Sequence, residues 1–202
     1  MTFAQERIIP KKMSENNGLL IEHKKRYEFA SEYAQGRVLD IACGVGYGAE
    51  ILFSYGEGIK KVIGVDNNKE VIKYARRNYD FAKTDYFVAD ARDKRLKEEL
   101  GVFDTIVSME TVEHIKDDYL FVERLEELLK KDGSLIISTP YGKGRDKECS
   151  NPYHYRQYKK EEFITLLKSY FPKIQLFGQL NDTIEPQRKH KKYYLMVAVC
   201  NK

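Results

Sequence analysis

Two carboxylates and an imidazole stand close together at Glu110, Glu113 and His114, directly after an apolar run, Phe103 to Ser108, that reads as a strand. On a helical stretch these positions are i, i+3 and i+4, which places all three side chains on one face. Such a set can do two kinds of chemistry. His114, with Glu113 beside it, can take the proton of a hydroxyl at neutral pH, or the three can hold a divalent cation. A Glu-His pair at a helix start also serves for plain hydrogen bonding, and the five-residue pattern by itself leaves these readings open.

The elements that must position this set begin with Val38-Leu39-Asp40-Ile41, an apolar run that feeds a turn carrying Gly44, Gly46 and Gly48. Glycines there let the backbone take positive φ and let a ligand lie against bare amides, and the helix that follows points its N-terminus at that ligand. A second run, Val62 to Val65, ends in Asp66, where an acid can accept the hydroxyls of a ribose. A third, Tyr86 to Ala89, ends in Asp90, which can accept from an exocyclic amino group while the Ala91 amide donates to a ring nitrogen. The alternative is that each strand-ending aspartate caps the next helix. Any one of them fits that alternative; the ordered series behind one glycine turn points to a nucleoside-containing ligand at the carboxyl edge of an open α/β sheet.

The run Asp40-Ile-Ala-Cys43-Gly44-Val-Gly46-Tyr-Gly48 resembles the first motif of the class I S-adenosylmethionine-dependent methyltransferases, and the resemblance extends over nearly the whole chain from about residue 20. Val65-Asp66 is similar to their ribose-binding acid, Ala89-Asp90-Ala91 to their adenine contact, and Phe103 to Glu110 to their fourth strand. Leu128 to Pro140 is similar to the helix, turn and fifth strand that follow. The resemblance implies S-adenosylmethionine as cofactor, bound by Cys43, Gly44, Gly46, Asp66, Asn67, Asp90 and Ala91 and, through backbone, by Met109 and Glu110. It also implies an enzyme that moves a methyl group. Within the family, E-x-x-E-H resembles the ubiquinone-biosynthesis O-methyltransferases and the small-RNA 3′-terminal 2′-O-methyltransferases, which hold a metal with these side chains. The second group adds a histidine before an aromatic-rich segment, and His154 matches it. Glu110, Glu113, His114 and His154 are therefore the candidate metal set.

The chain has 202 residues, 42% of them hydrophobic and 12% aromatic, which suits one folded domain over 1–202, with an N-terminal cap segment and helix over 1–35 and a core over 36–202. The formal charge is +4, part of it gathered at Arg188, Lys189, Lys191 and Lys192, without the broad basic face of a duplex nucleic-acid binder. Three dispersed cysteines give no disulfide framework, and Cys43 reads as a small apolar residue. No apolar stretch approaches the ~20 residues of a membrane span. Met1 to Arg7 lacks the basic head and apolar stretch of an export signal, so the expected location is cytoplasmic.

Apolar periodicity predicts an N-terminal helix over Leu19 to Tyr33, then helices over 47–56, 68–80, 92–100, 117–131 and 159–171. The strands fall at 61–66, 85–89, 103–108, 133–139, 173–179 and 193–200 after the first. Alternation through the fifth strand predicts a parallel, Rossmann-like doubly wound sheet of seven strands with helices on both faces. The last two strands have no helix between them and form a hairpin. The order 3-2-1-4-5-7-6, with strand 7 antiparallel, is the topology of the family the chain resembles.

The acceptor pocket is expected from the N-terminal segment, the loop after strand four and the loop from Pro140 to Tyr158. There Tyr141, Tyr153, Tyr155 and Tyr158 stand among Lys143, Arg145, Lys147 and Arg156, a mixture suited to stacking on a sugar or base beside a phosphate, or simply to packing on the domain. In the family, Arg26 or Tyr27 would reach the cofactor carboxylate from the N-terminal helix; a helix that only packs on the sheet is the alternative. His23 and His190 read as a surface or pocket residue and a solvated one. Glu22 to Ala30 and Tyr153 to Arg156 are similar to bacterial methyltransferases of glycan and sugar-nucleotide metabolism. The resulting expectation is a hydroxyl acceptor on a small molecule or sugar nucleotide, with RNA, or a non-catalytic cofactor-binding module, as alternatives.

Overall fold

In the computed structural model, which describes residues 7–202, the apolar runs become strands whose side chains alternate between two buried layers. The strands are β1 (Gly36–Ile41), β2 (Ile59–Asp66), β3 (Thr84–Val88), β4 (Phe103–Ser108), β5 (Leu129–Pro140), β6 (Lys173–Leu180), β7 (Thr183–Pro186) and β8 (Leu195–Asn201). The helices are α1 (Gly18–Tyr33), α2 (Tyr47–Tyr55), α3 (Lys69–Asn78), α4 (Leu96–Leu100), α5 (Asp118–Leu128) and α6 (Lys160–Lys168). Val38, Val62, Val107 and Ile136 meet α1, α2 and α3 on one face. Leu39, Ile63, Ile106 and Leu135 meet α4, α5 and α6 on the other. Residues 1–6, on which most of the export-signal reading rests, lie outside the described residues.

One sheet runs β3-β2-β1-β4-β5-β8-β6-β7. Strands β1 to β5 are parallel, while β8 lies antiparallel between β5 and β6. The expected order is therefore present, but the sheet has eight strands rather than seven. The extra strand, β7, pairs antiparallel with β6 at the sheet's edge, with Leu180 opposite Thr183 across a tight turn. Asn181 sits in that turn at φ 54, the left-handed conformation asparagine tolerates. The expected hairpin between the last two long strands is real, with the short strand inserted in it.

Two boundaries differ in ways that bear on the site. Helix α5 stops at Leu128 and β5 starts at Leu129, so the predicted helical turn over 129–131 is extended chain paired with β4. The predicted helix over 92–100 is confined to α4, because Asp90 and Asp93 fold the preceding residues into turns by accepting from the Arg92 and Arg95 amides. Among the described residues no helix is long and apolar enough to cross a membrane.

Candidate functional site

The carboxyl edge of β1, β2 and β4 opens into a cleft with two adjoining lobes. Between β1 and α2 the turn is left-handed at Ala42, Gly44 and Gly46 (φ 59, 56 and 89). A Cβ at Gly44 would meet nothing within 4 Å, so its backbone lies bare toward the cleft. Gly46 differs: a Cβ there would meet Ala75 and Tyr86 at 2.8 and 2.9 Å, and it lines neither lobe. Its place is under the turn, where its carbonyl accepts from the Tyr86 hydroxyl at 3.0 Å. The thiol of Cys43 is likewise buried, and burial pushes it well above the usual thiol range, so it is inert.

Asp66, at the end of β2, accepts from the Gly44 amide at 3.1 Å and from Asn68 N at 2.9 Å, which ties the second strand to the glycine turn. It does not cap α3; Asn68 does, accepting from the amides of Glu70 and Val71. Arg7 reaches the same carboxylate at 3.4 Å. The lobe of about 300 Å³ beyond it is lined by Asp66, Asn67, Ala89, Asp90 and Ala91, the candidate ribose and adenine contacts. Asp90 holds Arg92 through two hydrogen bonds, which lower its carboxyl.

The neighbouring lobe, about 680 Å³, brings Gly44 and Met109 together with Glu110, Glu113, His114 and His154. The expected helical face is not formed. Glu110 has φ 46, which turns the chain away from a helix, and Val112–His114 is a single 3-10 turn. Glu110 therefore points to α1 and leaves the candidate metal set. Arg26 donates to its Oε2, and His23 Nε2 stands 2.8 Å from the same oxygen. Burial alone would raise the Glu110 carboxyl, but the Arg26 charge and the hydrogen bond with His23 outweigh it and bring it to about 2.

Glu113 is fully buried, and Thr139 Oγ1 donates to its Oε2 at 3.0 Å while Oε1 has no hydrogen-bond partner among the described residues. Burial, then the nearby Glu110 charge, push its carboxyl up to about 8. His154 comes from far along the chain because its loop is bonded to the 3-10 turn: Tyr155 N donates to the Glu113 carbonyl at 2.9 Å, and Arg156 donates to those of Ile115 and Lys116. One donor atom each from Glu113, His114 and His154 lie within 4.8 Å of one another. The His114 Nδ1 is 3.0 Å from the Tyr153 carbonyl, so Nδ1 carries the proton and Nε2 is the basic atom. Asn151 Oδ1 accepts from Tyr153 N, so its amide nitrogen is the group facing His154 Nε2 at 3.1 Å.

The aromatic and cationic loop divides. Tyr158 is fully buried and donates to Asp118, where Arg145 and Arg156 also bind. Burial opposes ionisation of Asp118, yet Arg145, Tyr158 and Arg156 hold its carboxyl below the usual range. These three loop residues are structural, and Tyr141 is engaged by Gln187. Tyr153 and Tyr155 reach the cleft.

Sequence reasoning named His23, Arg26 and Tyr27 on α1 but passed over Leu19 beside them and the pairing of Arg26 with Glu110. Leu19, His23, Arg26 and Tyr27 recur at helical spacing on α1; Leu19, His23 and Tyr27 line the larger lobe, and Arg26 holds Glu110 beside it. That mixed stripe was a readable signal. Their partners were not: Gln179 on β6 accepts from Arg26 at 2.7 Å, and Tyr47 Oη is 3.2 Å from His23 Nδ1.

Residues 39–137 match a family model described as a methyltransferase domain. A protein of Mycolicibacterium smegmatis, described as a probable S-adenosylmethionine-dependent methyltransferase, is 28% identical over 169 residues, covering 81% of this chain and 62% of its own length. A ubiquinone biosynthesis O-methyltransferase of Xanthomonas euvesicatoria is 34% identical over 119 residues, 56% of this chain and 48% of that one. The chain spans 60–62% of the length of the first three curated relatives it matches. The fold is similar to that of the plantazolicin methyltransferase BamL, solved with SAH, at a TM-score of 0.68 and 15% identity, covering 93% of this chain and 86% of that one.

Proposed function

This chain belongs to the class I S-adenosylmethionine-dependent methyltransferase family, and on that premise we propose that it transfers a methyl group from S-adenosylmethionine to a hydroxyl oxygen of a small molecule, with His114 as the base. The cofactor, when bound, supplies a methyl group on a positively charged sulfur. The bare Gly44 backbone and the carboxylates at the ends of β2 and β3 fit it: Asp66 receives the ribose, and Asp90 and Ala91 the adenine. Asp66 retains acceptor capacity for this beside its bonds to Gly44, Asn68 and Arg7. Cys43 and Met109 fill in around the methionine portion.

The observation that carries the choice of base is the pinned His114 ring, which borders both lobes and presents Nε2 as its basic atom. It takes the proton of the acceptor hydroxyl, with the Glu113 carboxyl close beside it. Held in line, the acceptor needs little more from the protein. The test is SAH release from a panel of hydroxylated acceptors; silence across a broad panel, with SAH binding intact, turns the reading toward a non-catalytic binding module.

A second reading rests on the Glu113 oxygen without a partner. Glu113, His114 and His154 are a carboxylate and two imidazoles, a donor set that suits a divalent cation, which would supply Lewis-acid polarisation of the acceptor oxygen. Metal analysis of the purified chain and activity under chelation separate the two.

A further inference from the structure

We infer that the Glu110 side chain makes this chain prefer the methyl donor to its demethylated product, by facing the cofactor sulfur, which is positively charged in S-adenosylmethionine and neutral in SAH. The inference rests on the methyltransferase reading and gives a role to a side chain that this reading leaves unused. Among the described residues, Arg7, Ala42, Asp66, Glu110 and His114 border both lobes of the cleft. A cofactor with its adenosine in the smaller lobe and its methionine portion beside Cys43 and Met109 in the larger crosses at these residues. The atom that joins its two halves is the sulfur.

The carboxylates at that crossing are Asp66 and Glu110, and they differ in what they have left to offer. Asp66 is neutralised by Arg7 and also takes the Gly44 and Asn68 amides. At Glu110 a left-handed φ of 46, a conformation that costs energy outside glycine, turns the side chain toward α1. Arg26 and His23 both meet it at Oε2, and no hydrogen bond from a described residue reaches Oε1. The Glu110 side chain is 26% exposed and lines the cleft, whereas that of Arg26 is 2% exposed and lines neither lobe. The balancing guanidinium thus lies behind the carboxylate, and the second oxygen presents negative charge to the crossing. Because its carboxyl is held at about 2, Glu110 is ionised across the neutral range. A positive sulfur beside it is attracted and a neutral one is not, so the donor is held more tightly than the product that must leave.

Calorimetric titration of the wild-type chain and Glu110→Gln with S-adenosylmethionine, SAH and sinefungin tests this. Sinefungin carries an ammonium group where the donor carries its charged sulfur and methyl group. SAH measures what all three ligands share, including any effect of the substitution on the Arg26 pairing. The ratio of S-adenosylmethionine to SAH affinity should fall about tenfold in Glu110→Gln, and the ratio of sinefungin to SAH with it. An unchanged ratio, or a fall for S-adenosylmethionine that sinefungin does not share, overturns the assignment. If Glu110→Gln does not fold, the wild-type chain decides: SAH binding as tightly as both cationic ligands overturns it. A wild-type chain that takes none of the three ligands fails the methyltransferase reading itself; one that takes all three with the ratio unmoved by the substitution leaves that reading standing and removes only the role of Glu110.

Discussion

His154 packs its ring edge-on against His114, with centroids 4.7 Å apart and planes at 90°. The contact joins the turn after β4 to a loop that β5 delivers, and it gathers in one place the side chains able to handle an acceptor proton. With Nδ1 of His114 committed to a backbone carbonyl, Nε2 is the ring nitrogen left to accept a proton, and the proposed role of His114 rests on it.

His114→Ala should leave SAH binding unchanged and cut turnover by ~10²–10⁴, the range for losing a general base. Calorimetry and initial rates on the same preparation check both halves. A variant that turns over normally makes the residue structural.

Chelation separates base from cation. EDTA should leave wild-type turnover intact if His114 acts through its own Nε2. It should abolish turnover, with recovery on adding back a divalent metal, if Glu113, His114 and His154 hold a cation.

Asp66→Ala should weaken SAH by ~1–3 kcal/mol, the scale of hydrogen bonds to a charged group. Thermal melts accompany the titration, because Asp66 also braces the Gly44 amide. Unaltered SAH affinity would remove Asp66 from the binding site.

Arg26→Ala should destabilise the fold by ~2–4 kcal/mol, since it takes the guanidinium from the Glu110 charge, which His23 also contacts, and the donor from the buried Gln179 Oε1. Denaturant titration measures this. Because Glu110 is held at about 2, below its ordinary 4.5, the pair's stabilisation is present above pH 4.5 and is lost as pH falls toward 2. Glu110→Gln should flatten stability over that acid window.

Asp40 is expected to behave in the opposite sense. Burial raises it from 3.8 to about 7, although the Tyr27 hydroxyl donates to both its oxygens. The folded chain thus holds a proton that the unfolded chain has released, so stability falls as pH rises between those values, by roughly 4 kcal/mol. Asp40→Asn should remove that slope in melts across pH 4–8; an equally steep slope in the variant would place the titration elsewhere.

Local pattern was enough for the alternation of strands and helices, the glycine turn and the acids at the strand ends, while the sheet order came from the family resemblance. Strand alternation, glycines that need positive φ, and acids at strand ends are all properties of a few consecutive residues. The eighth strand was hidden because Thr183–Pro186 is too short to carry a period and forms only by pairing with β6.

Tertiary structure decided the chemistry of the site. The helical spacing of Glu110, Glu113 and His114 suggested three partners on one face, but a left-handed φ at Glu110 sends that carboxylate to Arg26 and His23 instead. His154 takes its place beside His114 only because loop and turn exchange backbone hydrogen bonds across the fold. The loop arginines, which in sequence suggested a phosphate, find Asp118 first. A charge at a given position states what a side chain can do; which partner satisfies it depends on distances that close only when the chain is folded.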